Sequence, residues 1–257
     1  MSSARFAGKV ALVTGSTGIG AAAARALAAE GASVFVVSRT ADHARELAET
    51  IPGARWQAAD LAHEEAAESA VRGCVDAFGR LDCLFNVAGI SGRRFGDGPV
   101  HELAAEGWDT VMAANLRSMF LVTRATVRQM LAQGGGAVLN MSSILADHPS
   151  APLFSTHAYA ASKGAINAFS LAVAAHYARD GIRVNVIAPA LVATPMSQRT
   201  QQDPEILDYV RRRQPLAAGP LTAEDLVGTV LYLLSDDSRM VTGQVLAVDA
   251  GWSIGGG

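Results

Sequence analysis

Tyr159 and Lys163 stand four residues apart in a stretch that the apolar periodicity predicts to be helical over 157–180, so their side chains share one helix face. A phenol ordinarily titrates near pH ~10, too high for base work at neutral pH. A neighbouring ammonium favours the phenolate and lowers that value. Such a pair can give and take the proton of an alcohol–ketone interconversion. Lys9 and Lys163 are the only lysines among 21 basic residues. A lysine kept where arginine is the habit suits a compact point charge, able to bond both a phenol and ribose hydroxyls. The plainer alternative is a solvated helix face. Ser142 and Ser143 close a predicted strand, at the sheet edge where ligands bind. One hydroxyl there can donate to a substrate oxygen while the other caps the strand end. Asn115 falls inside a predicted long helix, 108–133, where asparagine is a mediocre helix former and a functional reason is open.

These residues need a scaffold, and the chain supplies a regular one. Apolar runs at 9–14, 33–38, 54–58, 82–88, 137–142, 183–188 and 244–249 read as strands. Helix-period stretches at 21–30, 42–50, 63–78, 108–133, 157–180, 204–213 and 222–234 lie between them. Apolar strands alternating with helices predict an α/β fold: a doubly wound, Rossmann-like parallel sheet of about seven strands with helices on both faces. No linker or repeat interrupts it, so one domain over 1–257 is expected. The proline-punctuated stretch 194–220, with Pro195, Pro204, Pro215 and Pro220, fits no strand and reads as a lid over a strand end.

After the first predicted strand comes Thr14-Gly15-Ser16-Thr17-Gly18-Ile19-Gly20, then a helix. Amides at a helix N-terminus bind phosphate, and glycines let the backbone approach a pyrophosphate. A bare tight turn is the alternative. Dinucleotide folds usually place an acid about 20 residues further on, to hold ribose hydroxyls. Here Ser38-Arg39-Thr40 stands at that strand end, without an acid. Arg39 suits a 2′-phosphate through charge-assisted bonds, which favours NADP(H) and leaves NAD(H) possible. A solvated arginine, or one stacked on adenine, is the other reading. Asp60-Leu61 follows the third strand, where the carboxylate either accepts from an adenine amino group or caps a helix.

Composition narrows the class. The chain has 257 residues, 50% hydrophobic and 18% charged, with net charge −3. That excludes a disordered or disulfide-scaffold chain and offers no basic excess for nucleic acid. Two cysteines fit a reducing compartment. The amino-terminal apolar stretch is too short for a signal peptide, and no run is long enough to span a membrane, so a cytoplasmic location is expected. No cysteine, histidine and acid cluster at ligand spacing predicts a metal site.

Taken in order, Thr14–Gly20, Asn86-Val87-Ala88-Gly89, Asn115, Ser143, Tyr159-Ala160-Ala161-Ser162-Lys163, Pro189 with Thr194-Pro195, then Thr242-Gly243-Gln244 and Asp249 resemble the short-chain dehydrogenase/reductase family in its single-domain branch. The resemblance covers nearly the whole chain. It implies a catalytic set in which Tyr159 is the general acid or base, and Lys163 lowers its pKa and holds the nicotinamide ribose. In the same set Ser143 polarises the carbonyl and Asn115 positions a water. It implies cofactor contacts along Gly15, Ser16, Thr17, Gly18, Ile19 and Gly20, and at Ser38, Arg39, Asp60 and Leu61. Asn86, Ala88 and Gly89 would line the adenine-ribose side, and Pro189, Val192 and Thr194 the nicotinamide. It also implies a homotetramer or dimer built through long helices and the C-terminal strand. Four features depart from the family pattern. The glycine loop is one residue short, Val87 replaces a second asparagine, Ala190 replaces a glycine, and the 144–158 segment is longer.

The expected activity is an NADP(H)-preferring oxidoreductase interconverting a small-molecule ketone and secondary alcohol by hydride transfer. A non-catalytic dinucleotide-binding regulator or scaffold, or an NAD-dependent alcohol or sugar dehydrogenase of the same family, stands as the alternative. Arg93, Arg94 and Arg211–Arg213 either meet an anionic substrate or are solvated surface.

Overall fold

A computed structural model describes residues 4–255; residues 1–3 and 256–257, the two ends of the expected 1–257 domain, lie outside the described residues. Among the described residues seven strands form one sheet: β1 (Val10–Thr14), β2 (Ser33–Ser38), β3 (Arg55–Ala58), β4 (Cys83–Asn86), β5 (Gly136–Met141), β6 (Ile182–Pro189) and β7 (Val245–Val248). Their spatial order is β3-β2-β1-β4-β5-β6-β7, and every pairing is parallel. The order reverses between β1 and β4, which opens a crevice at the carboxyl ends of those strands. This is the doubly wound sheet that the alternation of strands and helices predicted.

Among the described residues nine α-helices connect the strands: α1 (Gly18–Ala29), α2 (Ala41–Glu49), α3 (Glu64–Phe78), α4 (Ala105–Met112), α5 (Ser118–Gln133), α6 (His157–Tyr177), α7 (Gln198–Gln201), α8 (Pro204–Arg213) and α9 (Glu224–Leu234). Side chains alternate along each strand, and the two sets feed two separate cores. Ala11, Val13, Val34, Val36 and Leu139 pack with α1 and α9 on one face. Val10, Leu12, Phe35, Val37 and Val138 pack with α3 and α5 on the other. Burial on both faces is why the strands read as continuous apolar runs.

Two helix expectations need correction. The first helix begins at Gly18 rather than Ala21, because glycines at positions 18 and 20 open the first turn instead of preceding it. The single helix expected over 108–133 is divided: Ala113–Arg117 is π-helical between α4 and α5. The extra residue in that turn rotates Asn115 into the interior, where it is fully buried. The C-terminal stop was legible: Gly134 closes α5 in the left-handed region at φ +92°.

The crevice is stitched at its floor by Thr14. Its Oγ1 donates to Asn86 Oδ1 at 3.1 Å and accepts from the amides of Val87 and Ala88 at 3.0 and 3.2 Å. Asn86 Nδ2 in turn donates to Met119 O and Thr123 Oγ1. No described helix is long and apolar enough to cross a membrane. Replacing the buried hydroxyl by a methyl orphans these partners, so Thr14→Val should lower stability in urea unfolding by about 1–3 kcal/mol. An unchanged midpoint would show that the stitch contributes nothing.

Candidate active site

Lys163 sits two turns into α6 and is 3% exposed. Its Nζ donates to Met141 O at 2.8 Å, at the end of β5, and lies 5.5 Å from the centroid of the Tyr159 ring. Ser142 Oγ donates to Lys163 O at 3.0 Å, a second tie between that strand end and the helix. Ser143, also buried, accepts from the Leu145 amide and caps the short turn Ile144–Ala146. The two serines therefore divide the work: Ser142 is structural, while Ser143 stands beside the half-buried Tyr159.

The electrostatics differ from the expectation. Burial pushes the Tyr159 phenol above its ordinary value, with Ser143 acting in the opposite sense. Burial also acts on Lys163 and pushes it down to about 8, so burial is the larger influence on both groups. Asn115 is committed in three directions. Its Oδ1 accepts from Ile90 N at 2.7 Å, and its Nδ2 donates to Ile90 O and Ser162 Oγ, each at 3.1 Å. Ser162 Oγ donates to Tyr159 O at 2.7 Å. Asn115 thus fastens the loop after β4 to the turn of α6 that carries the phenol.

At the other end of the crevice, α1 starts at the glycine loop with Thr17 as N-cap, no side-chain cap bond and no acid in its first turn. Ser16 Oγ is buried without a hydrogen-bond partner among the described residues. A Cβ on Gly20 would lie 2.5 Å from Gly15 O, and one on Gly18 would lie 2.9 Å from Thr194 Cγ2. Uncapped amides, an orphaned hydroxyl and space that only glycine leaves fit a dinucleotide's phosphates. Ile19 packs partly buried against the core. Arg39 is exposed beside half-buried Ser38, and among the described residues it makes no hydrogen bond or ion pair.

The remaining expected cofactor positions separate by depth. Asp60 Oδ1 accepts from Ala62 N, forming a turn two residues on rather than a cap on α3, whose N-cap is His63. The Leu61 side chain is buried in the second core, and the Asn86 side chain is used within the fold. Ala88 offers its amide to Thr14, and a Cβ on Gly89 would lie 3.0 Å from Asn115 Oδ1. Pro189 ends β6, buried, and Val192 pairs with Leu221 in an isolated bridge. Thr194 begins a short turn in which Ser197 Oγ accepts from its amide at 3.0 Å.

Three contributors went unread in the sequence. Gln214, fully buried, clamps both sides of the 194–220 segment: Leu191 N reaches its Oε1, and its Nε2 reaches Leu191 O and Gly219 O. An apolar wall joins Phe154, Tyr209 and Trp252 at centroid distances of 5.6–6.2 Å, with Ser150 Oγ and Tyr209 Oη 2.6 Å apart. Asp97 is buried against the first turn of α6. Of the arginines weighed for an anionic substrate, Arg212 pairs with Asp208, Arg94 lies over Phe95, and Arg93 donates to Leu153 O.

Comparison with known proteins agrees with this fold. Residues 13–253 match the family model described as enoyl-(acyl carrier protein) reductase. The chain is 35% identical to D-threitol dehydrogenase of Mycolicibacterium smegmatis, over 97% of this chain and 95% of that one. A solved structure of 3-ketoacyl-(acyl-carrier-protein) reductase from Brucella melitensis, complexed with NADH, superposes with TM-score 0.87 at 31% identity, covering 97% of this chain and all of the other. A structure from Beutenbergia cavernae with bound NADP gives TM-score 0.88 at 34% identity, covering 98% and 99%.

The buried ammonium has a consequence for stability in the cofactor-free protein. Its folded pKa of about 8 lies below the unfolded value, so the unfolded chain binds more protons between pH ~8 and ~10.4. The cost is therefore full at neutral pH and fades as pH rises through that window. Relative to the parent protein, Lys163→Met should gain stability at about pH 7, and the gain should shrink by about pH 10. A difference that is constant across that range would contradict the burial of a charged Lys163.

Proposed function

The chain belongs to the short-chain dehydrogenase/reductase family, NAD(P)-dependent oxidoreductases acting on CH–OH groups, and we propose that it interconverts a ketone and a secondary alcohol with preference for NADP(H) and Tyr159 as general acid or base. The observation that carries this reading is the convergence of Tyr159, Lys163 and Ser143 at the carboxyl edge of β5, across the crevice from an uncapped helix N-terminus. The nicotinamide supplies or accepts the hydride when bound. Ser143 Oγ orients the substrate oxygen, and the Tyr159 hydroxyl gives it a proton in reduction and takes one in oxidation. A phenol held above its ordinary value by burial keeps its proton, which suits the donor role. Lys163 holds a positive charge beside the ring and turns toward ribose hydroxyls. Asn115 and Ser162 keep the Tyr159 turn in register.

The glycine loop Gly15–Gly20 holds the pyrophosphate, with Ser16 Oγ as an extra donor. Arg39, beside Ser38 and unpaired among the described residues, takes the 2′-phosphate. Asp60, with one oxygen left over from its turn, reaches the adenine side with the Leu61 backbone. Asn86, Ala88 and Gly89 floor the ribose, and Pro189, Val192 and Thr194 border the nicotinamide. The segment 194–220 closes over the substrate within a single domain, and its contacts with the Phe154–Trp252 wall favour an apolar substrate body. We place the enzyme in the cytoplasm as a homotetramer or dimer.

Two measurements check the reading. Tyr159→Phe should abolish turnover, a loss of about 10²-fold or more, while cofactor still binds; turnover at the parental rate would reject the assignment. Arg39→Asp should remove the preference for NADPH over NADH in a cofactor titration. A preference that does not move would take Arg39 out of the phosphate site.

A further inference from the structure

We propose that Asp97 is a positioning residue for Tyr159, an inference that rests on the reading of Tyr159 as the acid–base group. Asp97 lies between Gly96 and Gly98 in the loop after β4 and is 4% exposed. Its Oδ1 accepts from Ala158 N at 2.9 Å and its Oδ2 from Tyr159 N at 2.8 Å. These are the second and third amides of α6, among the four donors that a helix leaves without intrahelical partners. A side chain at the N-cap usually satisfies them, but Thr156 at the N-cap makes no such bond. The carboxylate arrives instead from a loop 62 residues earlier in the chain, and its charge suits the positive end of the helix.

The loop that carries Asp97 is itself fixed. Gly92 turns at φ +80°, and a Cβ there would lie 2.8 Å from Asp97 Oδ2, so the chain closes tightly behind the carboxylate. Ile90, two residues before that turn, is held through both backbone groups by Asn115. Arg93 Nη2 donates to Leu153 O at 2.8 Å, on the segment leading into α6. The first turn of a helix is where it frays, and Tyr159 is its third residue. Asp97 ties the Tyr159 amide to this fixed loop, so the turn is anchored in place as well as capped, while Ser162 grips the Tyr159 carbonyl. The phenol is thereby held in register with Lys163, which is tied to the end of β5, and with Ser143, which caps the turn that follows that strand. Misplacing a reacting group by roughly 1 Å can cost about 10²-fold in rate.

The test separates gripping from mere capping. Asp97→Asn keeps the volume but turns one acceptor into a donor facing an amide N–H. In that variant kcat for ketone reduction should fall about tenfold or more. KM for the ketone, and Kd for NADPH read by its fluorescence, should stay within about twofold. Adding Thr156→Asp to Asp97→Ala returns a local acceptor for the same amides. That double variant should regain thermal stability without regaining kcat. Recovery of kcat together with stability would overturn the proposal, as would parental kcat in Asp97→Asn. A parent protein that binds NADPH and reduces no ketone would reject the function reading separately. Asp97 would then be judged on the 13Cζ resonance of Tyr159 in the cofactor-free protein. The resonance should move in Asp97→Asn and stay displaced in the double variant; an unmoved resonance would overturn the positioning role without reference to turnover.

Discussion

A single buried ammonium organises this molecule. Lys163 is removed from water with one hydrogen-bond acceptor among the described residues, the carbonyl of Met141. A charge in that position is expensive, and the protein holds it only because strand β5 and helix α6 are locked together around it. Ser142 binds the Lys163 carbonyl, Asn140 Nδ2 binds Ser170 Oγ further along the same helix, and Asn115 binds Ser162. Together these bonds hold α6 against β5 and against the π turn that carries Asn115. The cost to stability and the capacity for chemistry come from the same burial: a solvated lysine would be cheap and would have no reason to stand beside a phenol.

The parallel sheet explains why the site sits where it does. With both faces covered by helices, only the strand ends remain accessible to a ligand. The carboxyl ends of β1 and β4 lie at the reversal of strand order, and Thr14 holds them in contact. The glycine loop and α1 then face the phenol-bearing helix across the crevice. In that loop the Gly18 position lies against the Thr194 methyl group. The start of the 194–220 segment is therefore packed directly on the glycine loop, a contact that sequence spacing does not show.

The fold was largely legible because its signals are local. Strand β1 and helix α6 announce themselves through apolar runs and helical period, and Gly134 ends α5 as its type implies. The Tyr159 and Lys163 pair was legible for the same reason, since spacing along one helix decides whether two side chains share a face. What stayed hidden depends on long-range geometry. The π turn at Asn115 has no periodic signature, and it is what turns that side chain inward. Asp97 is an acid between two glycines in a loop, indistinguishable in sequence from a solvated one. Gln214 looks like the polar end of a lid helix until it is found fully buried, bonding Leu191 and Gly219. The pKa relation between Tyr159 and Lys163 was misread because spacing gives proximity but not burial, and burial is the larger effect on both.

In the proposed chemistry the Tyr159 phenol and the buried Lys163 ammonium would flank a nicotinamide, which would supply or accept the hydride of a carbonyl carbon. Isotope transfer tests that directly. The protein would be incubated with NADPH carrying deuterium at the transferable C4 position and a set of apolar ketones, and the products read by mass spectrometry. The account predicts an alcohol with one deuterium on its carbinol carbon. NADPH that binds yet keeps its label with every ketone would contradict it.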